Sequence, residues 1–216
     1  MRDSSLAILD EFFVRHKCLK TCQSQIVAAV ELLVRTFAQG GKLLICGNGG
    51  SAADAEHIVG ELMKGFVLPR PLTRDLCERL RCNYPKTSDY LISQLQMALP
   101  AYSLVSQTAF LTAFTNDQGA DAVFAQQVLG YGQRNDCLLG ISTSGTSKNV
   151  IYAAQVAKTL DMSVIVLTGN RRGALVDCSD VAVEVPECST ERIQELHLPI
   201  YHLICRLLEN EFYGEV

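Results

Sequence analysis

Between Cys46 and Glu61 the chain places an anion-binding turn beside a candidate acid/base pair. The stretch reads Cys46-Gly47-Asn48-Gly49-Gly50-Ser51-Ala52-Ala53-Asp54-Ala55-Glu56-His57, with Glu61 four residues further on. Glycine lets a backbone turn sharply and approach a ligand where a side chain would block it. Lys42-Leu43-Leu44-Ile45 ahead of the turn reads as the end of a buried strand, and Ala52 to Met63 behind it as a helix. Free N–H groups at a helix start suit an anion. His57 and Glu61 share one helix face, since residues four apart are neighbours there. A tight corner in any α/β protein can look similar. However, the pattern lacks the G-x-G-x-x-G of a dinucleotide turn and the Gly-Lys-Ser/Thr of a Walker loop. A small phosphorylated ligand is what such a compact turn accommodates.

A second loop repeats the design. Cys137-Leu138-Leu139-Gly140-Ile141 reads as a buried strand and runs into Ser142-Thr143-Ser144-Gly145-Thr146-Ser147, with a helix expected from Lys148. One hydroxyl would cap that helix. A glycine among a run of hydroxyls exceeds that need, and such groups can wrap a phosphate without a cation.

The elements that must position these loops follow from the hydrophobic pattern. Residues 5–38 show near-helical spacing at Phe12, Leu19, Ile26, Val30, Leu33 and Phe37, which predicts one or two helices. Strands are expected at 42–46, 101–105, 136–141, 163–168 and 181–185, with helices between them. Such alternation predicts a parallel sheet covered on both faces. Ligands of these sheets gather beyond the carboxyl ends of the strands. The glycine loop, Thr115-Asn116-Asp117 and the Ser142 loop are all expected near such ends. Residues 66–99 break the rhythm with Pro69, Pro71 and Pro85. They read as a surface excursion followed by a helical piece near Asp89 to Leu99.

The formal net charge of −4, without a basic stripe, disfavours nucleic acid as a partner. No apolar run reaches membrane-spanning length, and the N-terminus lacks a signal-peptide pattern, so a cytoplasmic protein without membrane partners is expected. Nine cysteines at irregular spacings point to a reducing compartment rather than to disulfides or a zinc knuckle. Cys46, Cys137 and Cys205 sit in apolar runs and read as buried thiols.

The two loops together resemble those of the sugar isomerase (SIS) domain. Ser51-Ala-Ala-Asp-Ala-Glu-His57-x-x-x-Glu61 and Thr190-Glu191-Arg192-Ile193-Gln194-Glu195-x-His197-x-x-x-x-His202 narrow the resemblance to the phosphoheptose isomerases. It covers nearly the whole chain outside 66–99, where this chain reads as longer than the usual member. The resemblance implies a single SIS domain over 1–216, with an N-terminal helical segment 1–40 and an insertion at about 66–99. It implies a three-layer α-β-α sandwich on a mainly parallel five-stranded sheet. The implied reaction converts sedoheptulose 7-phosphate to D-glycero-D-manno-heptose 7-phosphate through an enediol, with Glu61 as base and His202 as acid/base. Substrate contacts would come from Asn48, Gly49, Gly50, Ser51, Glu61, Asn116, Asp117, Ser142, Thr143, Ser144, Ser147 and Gln194. A Zn2+ site would be made of His57, Glu61, Gln194 and His202, and a homotetramer with shared active sites is implied. Two other readings stay open. One is an isomerase of another sugar phosphate. The other is a non-catalytic phosphosugar-binding protein like the DnaA initiator-associating protein, which shares the fold.

His197 is a rival to His202 on helix geometry. At 100° per residue it lies about 60° from Gln194, against about 80° for His202. Otherwise it reads as a helix-surface or interface histidine. His16 reads as structural. Pro199, inside the helix expected over 193–208, removes a backbone donor and favours a kink between Gln194 and His202. Lys64 stands where it could reach a phosphate.

Overall fold

The computed structural model describes residues 1–214. Asp3–Arg15 (α1) and Gln23–Ala38 (α2) are joined by a 3-10 turn at Lys17–Cys22. Leu43–Gly47 (β1) leads through the glycine loop into Gly50–Met63 (α3). Arg74–Asn83 (α4) and Ser88–Gln94 (α5) precede Ala101–Ser103 (β2). Thr108–Asp117 (α6) and Val123–Tyr131 (α7) lead to Cys137–Ile141 (β3). Lys148–Thr159 (α8), Ser163–Gly169 (β4), Ala174–Asp177 (α9), Val181–Val185 (β5) and Thr190–Tyr213 (α10) complete the fold.

The five strands pair in parallel in the order β2-β1-β3-β4-β5. Alternate side chains feed two cores. Leu43, Ile45, Leu139, Ile141, Ile165 and Leu167 pack beneath α1, α2, α3 and α10. Leu44, Cys46, Leu138, Val164 and Val166 pack against residues of α7, α8 and α9 on the other face. Both faces are therefore apolar, which explains why the strands read as continuous hydrophobic runs. Each of the five expected strands is present. β2 is shorter than expected, although Leu104 N–H still bonds Ile45 C=O at 2.8 Å beyond it. The thiols of Cys46 and Cys205 are buried, and burial pushes each up to about 12.

The order places a switch point between β1 and β3. Connections leave in opposite directions from there, so α3 covers one face and α8 the other. Both candidate loops open at this point, and β1 and β3 end in register with Gly47 opposite Ile141.

Two expectations need correction. The excursion holds two helices, not one near 89–99. α4 forms because Thr73 caps it, accepting the Leu76 N–H at 3.4 Å, and because Arg74–Glu78 and Arg79–Asp75 pair at four-residue spacing. α5 ends at Gln94. Asn116 and Asp117 lie at the end of helix α6 rather than beyond a strand. Pro199 lies inside α10, which runs from Thr190 to Tyr213.

Leu138 sits in the middle strand with no exposure. Leu138→Ala is expected to lower unfolding free energy by about 2–5 kcal/mol with an unchanged denaturant slope. Urea titration checks this, and a wild-type midpoint would contradict the packing described.

Candidate active site

The glycine loop owes its shape to Gly49, whose φ of 57° and ψ of −121° no L residue adopts comfortably. Ser51 and Ala52 N–H groups turn back onto Asn48 and Gly49 carbonyls at 3.0 Å. A Cβ at Gly50 would meet the Gln194 side-chain amide, which would have to swing aside. Gln194 of α10 thus lies against the glycine loop. The second loop is built on Gly145 with φ 66°, whose N–H bonds Ser142 C=O at 3.1 Å. Ser142 Oγ and Ser147 Oγ are 3.0 Å apart, and Ser144 Oγ accepts from Thr146 N–H at 3.2 Å.

The two loops are tied directly. Asn48 Nδ2 donates to Asn149 Oδ1 and Asn149 Nδ2 donates back to Asn48 Oδ1, both at 2.9 Å. Lys148, at the first turn of α8, faces Asp121 at 3.6 Å. Hydroxyls and helix N-termini are therefore the main donors for an anion here.

The proton-transfer candidates meet where α3 faces α10. His57 Nε2 is 3.3 Å from Glu61 Oε1 and 3.4 Å from His202 Nε2. The Glu61 side chain is 15% exposed and His57 42%. Lys64 Nζ lies 3.4 Å from the other Glu61 oxygen, so Lys64 serves the carboxylate rather than the phosphate loops. Burial first, then the neighbouring His57, lowers the His202 pKa, while Glu61 opposes the change. Phe66 covers His202 with ring centroids 5.5 Å apart.

His57 is held from behind. Tyr201 OH donates to Asp54 Oδ1 at 3.2 Å and lies 3.0 Å from His57 Nδ1. With its one proton given to Asp54, the hydroxyl can only accept from His57 Nδ1–H. The Nε2 lone pair then faces the Glu61 carboxylate, a contact that calls for a proton or a cation between them. Burial raises the Asp54 pKa, with the Tyr201 bond and His57 opposing.

The imidazoles of His57 and His202 and the Glu61 carboxylate are zinc-type donors, whereas glutamine, as at Gln194, is an unusual fourth ligand. Their arrangement is incomplete. Gln194 packs on Gly50, His202 contacts His57 but not Glu61, and among the described residues no group of three or more His, Cys, Asp or Glu side chains is arranged to hold a metal ion. Asn116 and Asp117 close helix α6. Both are exposed and bond each other at 2.9 Å.

The described geometry has known counterparts. The SIS domain family model matches residues 13–91 and 90–169. A phosphoheptose isomerase of Roseiflexus sp. is 39% identical over 202 residues, covering 94% of this chain and 89% of the relative. One of Helicobacter pylori is 38% identical over 210 residues, covering 95% and 96%. The solved phosphoheptose isomerase of Neisseria gonorrhoeae superposes with a TM-score of 0.73 at 34% identity, covering 96% of this chain and 94% of that one. The chain belongs to the phosphoheptose isomerase family.

Some functional neighbours of the family motifs escape a reading of the sequence. Tyr201 and Asp54 are adjacent to motif residues, but only the crossing of α3 over α10 makes them partners. Asn149 follows the second loop directly, and its complement to Asn48 could have been guessed from two amides placed after two matched strands. His197 is neither a surface histidine nor a rival catalyst. It is fully buried on the core side of α10, without a hydrogen-bond partner for either ring nitrogen. Burial lowers its pKa to about 4, and the nearby Thr168 backbone works the other way without a well-directed bond.

That burial carries a pH signature. The folded ring stays neutral down to about pH 4, whereas the unfolded ring protonates near the ordinary histidine value of 6.5. Stability is complete above pH 6.5 and falls as pH drops toward 4, by up to about 1.4 kcal/mol per pH unit. His197→Leu is expected to flatten this slope in urea titrations across that window. Parallel curves for the two proteins would contradict the assignment.

Proposed function

We propose that the protein interconverts sedoheptulose 7-phosphate and D-glycero-D-manno-heptose 7-phosphate through an enediol. The reading rests above all on the contact chain Glu61–His57–His202, set beside two tied anion loops in a chain of this family. Glu61 removes the C1 proton of the ketose while the C2 carbonyl oxygen takes a proton, giving the enediol. Loss of the O1 hydroxyl proton then forms the aldehyde as Glu61 returns its proton to C2. His202 is the group placed to exchange the oxygen-bound protons, because an imidazole can both give and accept near neutrality. Ser51, Ser142, Thr143, Ser144 and Ser147 hold the phosphate. Gln194 contacts the sugar between the two ends, with Asn48, Gly49 and Gly50 beside it. Asn116 and Asp117 serve as hydroxyl contacts only if α6 presents them to the same ligand.

Zn2+ is the finer part of the reading. His57, Glu61, Gln194 and His202 would hold it, and it would act as a Lewis acid on the substrate oxygens. The proton transfers above use the side chains alone. Residues 66–99 form an insertion within a single SIS domain over 1–216, after the N-terminal helical segment 1–40. A homotetramer with shared active sites would use the apolar cleft of about 650 Å³ beyond His202, walled by Phe12, Phe66, Leu198, Pro199 and Leu203. Among the described residues no helix is long and apolar enough to cross a membrane. Nine free thiols fit a cytoplasmic setting. Retention of both Glu61 and His202 favours an enzyme over a non-catalytic phosphosugar-binding role.

Incubation with sedoheptulose 7-phosphate, followed by NMR, is expected to show the aldose signal. Glu61→Gln is expected to lower kcat by at least about a hundredfold while leaving the protein folded. An inactive parent would sink the isomerase reading, and an active Glu61→Gln would sink the base assignment. Zinc at a hundredfold excess over its Kd would stabilise the parent by about 2.7 kcal/mol. A melting shift in the parent but not in His57→Ala is the expected result, and equal curves would remove zinc from the reading.

A further inference from the structure

Arg70 and Glu209 are both fully buried and paired, with Arg70 Nε 2.8 Å from Glu209 Oε1. Neither belongs to the motifs that identify the family, and neither touches the acid/base side chains. What they touch is the backbone that carries those side chains. Arg70 Nη1 donates to Leu62 C=O at 2.7 Å and Nη2 to Glu61 C=O at 3.1 Å. These carbonyls belong to the last turn of α3, where no following helical N–H remains to satisfy them; Leu62 C=O also accepts Leu99 N–H at 3.0 Å, whereas for Glu61 C=O the guanidinium is the partner. Helix α3 ends at Met63 with Lys64 extended, so the guanidinium serves as its C-terminal cap.

Glu209 anchors the other side. Its carboxylate accepts Phe66, Val67 and Leu68 N–H groups at 2.8, 2.7 and 2.8 Å, besides Arg70. Burial works to raise its pKa. The three backbone donors and Arg70 outweigh burial and hold it below the ordinary carboxylate range. The same donors fix Phe66, whose ring covers His202. Glu209 lies seven residues after His202, two helical turns, so both project from one side of α10. One fork of Arg70 therefore grips the peptide of Glu61, and the other grips the helix face that presents His202.

We propose that the Arg70–Glu209 pair is a strut that sets the separation of Glu61 and His202, which makes both members positioning residues for the isomerisation. This rests on the isomerase reading above. Placement errors of about 1 Å can cost a hundredfold in rate, whereas the Ser142–Ser147 loop lies between β3 and α8 and Ser51 lies at the opposite end of α3 from Arg70, so phosphate affinity should be kept.

Removing one partner strands a buried charge and risks unfolding. The test therefore uses two changes. Arg70→Met with Glu209→Gln removes both charges, keeps similar volume and leaves an oxygen for the 66–68 N–H groups. Arg70→Lys keeps the charge and loses the fork to the Glu61 and Leu62 carbonyls. Both are compared with the parent by melting temperature and by kcat and KM for sedoheptulose 7-phosphate. The expected result is a folded protein whose kcat falls at least about tenfold while KM stays within about twofold. Unchanged kcat in a folded double variant overturns the strut, as does a rise in KM at constant kcat. If the double variant does not fold, Arg70→Lys decides: near-parental melting with parental kcat overturns the strut. A parent that leaves the heptulose untouched overturns the isomerase reading and the strut with it, whereas an active parent beside an unaffected variant overturns the strut alone.

Discussion

The parallel pairing of β1 with β3, closed at Gly47 opposite Ile141, is the constraint on which the site depends. Two strands that end at one level release their loops side by side. Because the sheet order reverses at this pair, the helices that follow go to opposite faces and leave a crevice open between the loops. Side by side they combine two helix N-termini with a group of hydroxyls, and the Asn48–Asn149 amide pair locks their relative height. The two cores on either face hold this arrangement, since a slip of β3 by one residue would turn Leu138 and Leu139 to the wrong layers.

Helix α10 supplies the second constraint. It presents Gln194 to the glycine loop, His202 to His57 and Glu209 to the end of α3, while His197 and Ile200 face the core. A single helix of 24 residues acts as a ruler for these groups. The spacing between the group that meets the glycine loop and the group that meets His57 is then set by helical rise rather than by loop conformation. Tyr201 belongs to the same logic. It uses the turn before His202 to reach back to Asp54 and His57, so the imidazole that lies between Glu61 and His202 cannot rotate freely.

Strands and loops were legible in the sequence because each leaves a local mark: an apolar run, a glycine, a cluster of hydroxyls. The five strands fell within one or two residues of expectation on that basis. The contact of His57 with Glu61 was legible because both lie on one helix at four-residue spacing. What lay hidden is what depends on the crossing of distant elements. His197 and His202 cannot be ranked by helical angle alone, because the angle does not reveal which face of α10 meets the sheet. α4 was missed because its apolar side is thin and it buries no residue. Its cap and paired charges, rather than a core stripe, hold it. Asn116 and Asp117 were placed by adjacency to an apolar segment that proves to be helical, so their expected position at a strand end did not follow.

The buried ion pair shows why a chain keeps charge where hydrophobes would be easier to bury. Desolvating two ions costs about as much as their attraction returns, and an apolar pair of similar volume is often no less stable. Apolar side chains, however, have no direction. They could fill the space between α3 and α10 without choosing an angle, and they would leave the Glu61 carbonyl without its guanidinium partner. Arg70 answers both needs because its fork is planar and rigid. One edge meets a carboxylate and the other two carbonyls, so the helix end can sit at only one height. The residues that act on a substrate must be held more tightly than packing alone holds them, and here that tightness comes from directed bonds to the backbone beneath the acting side chain.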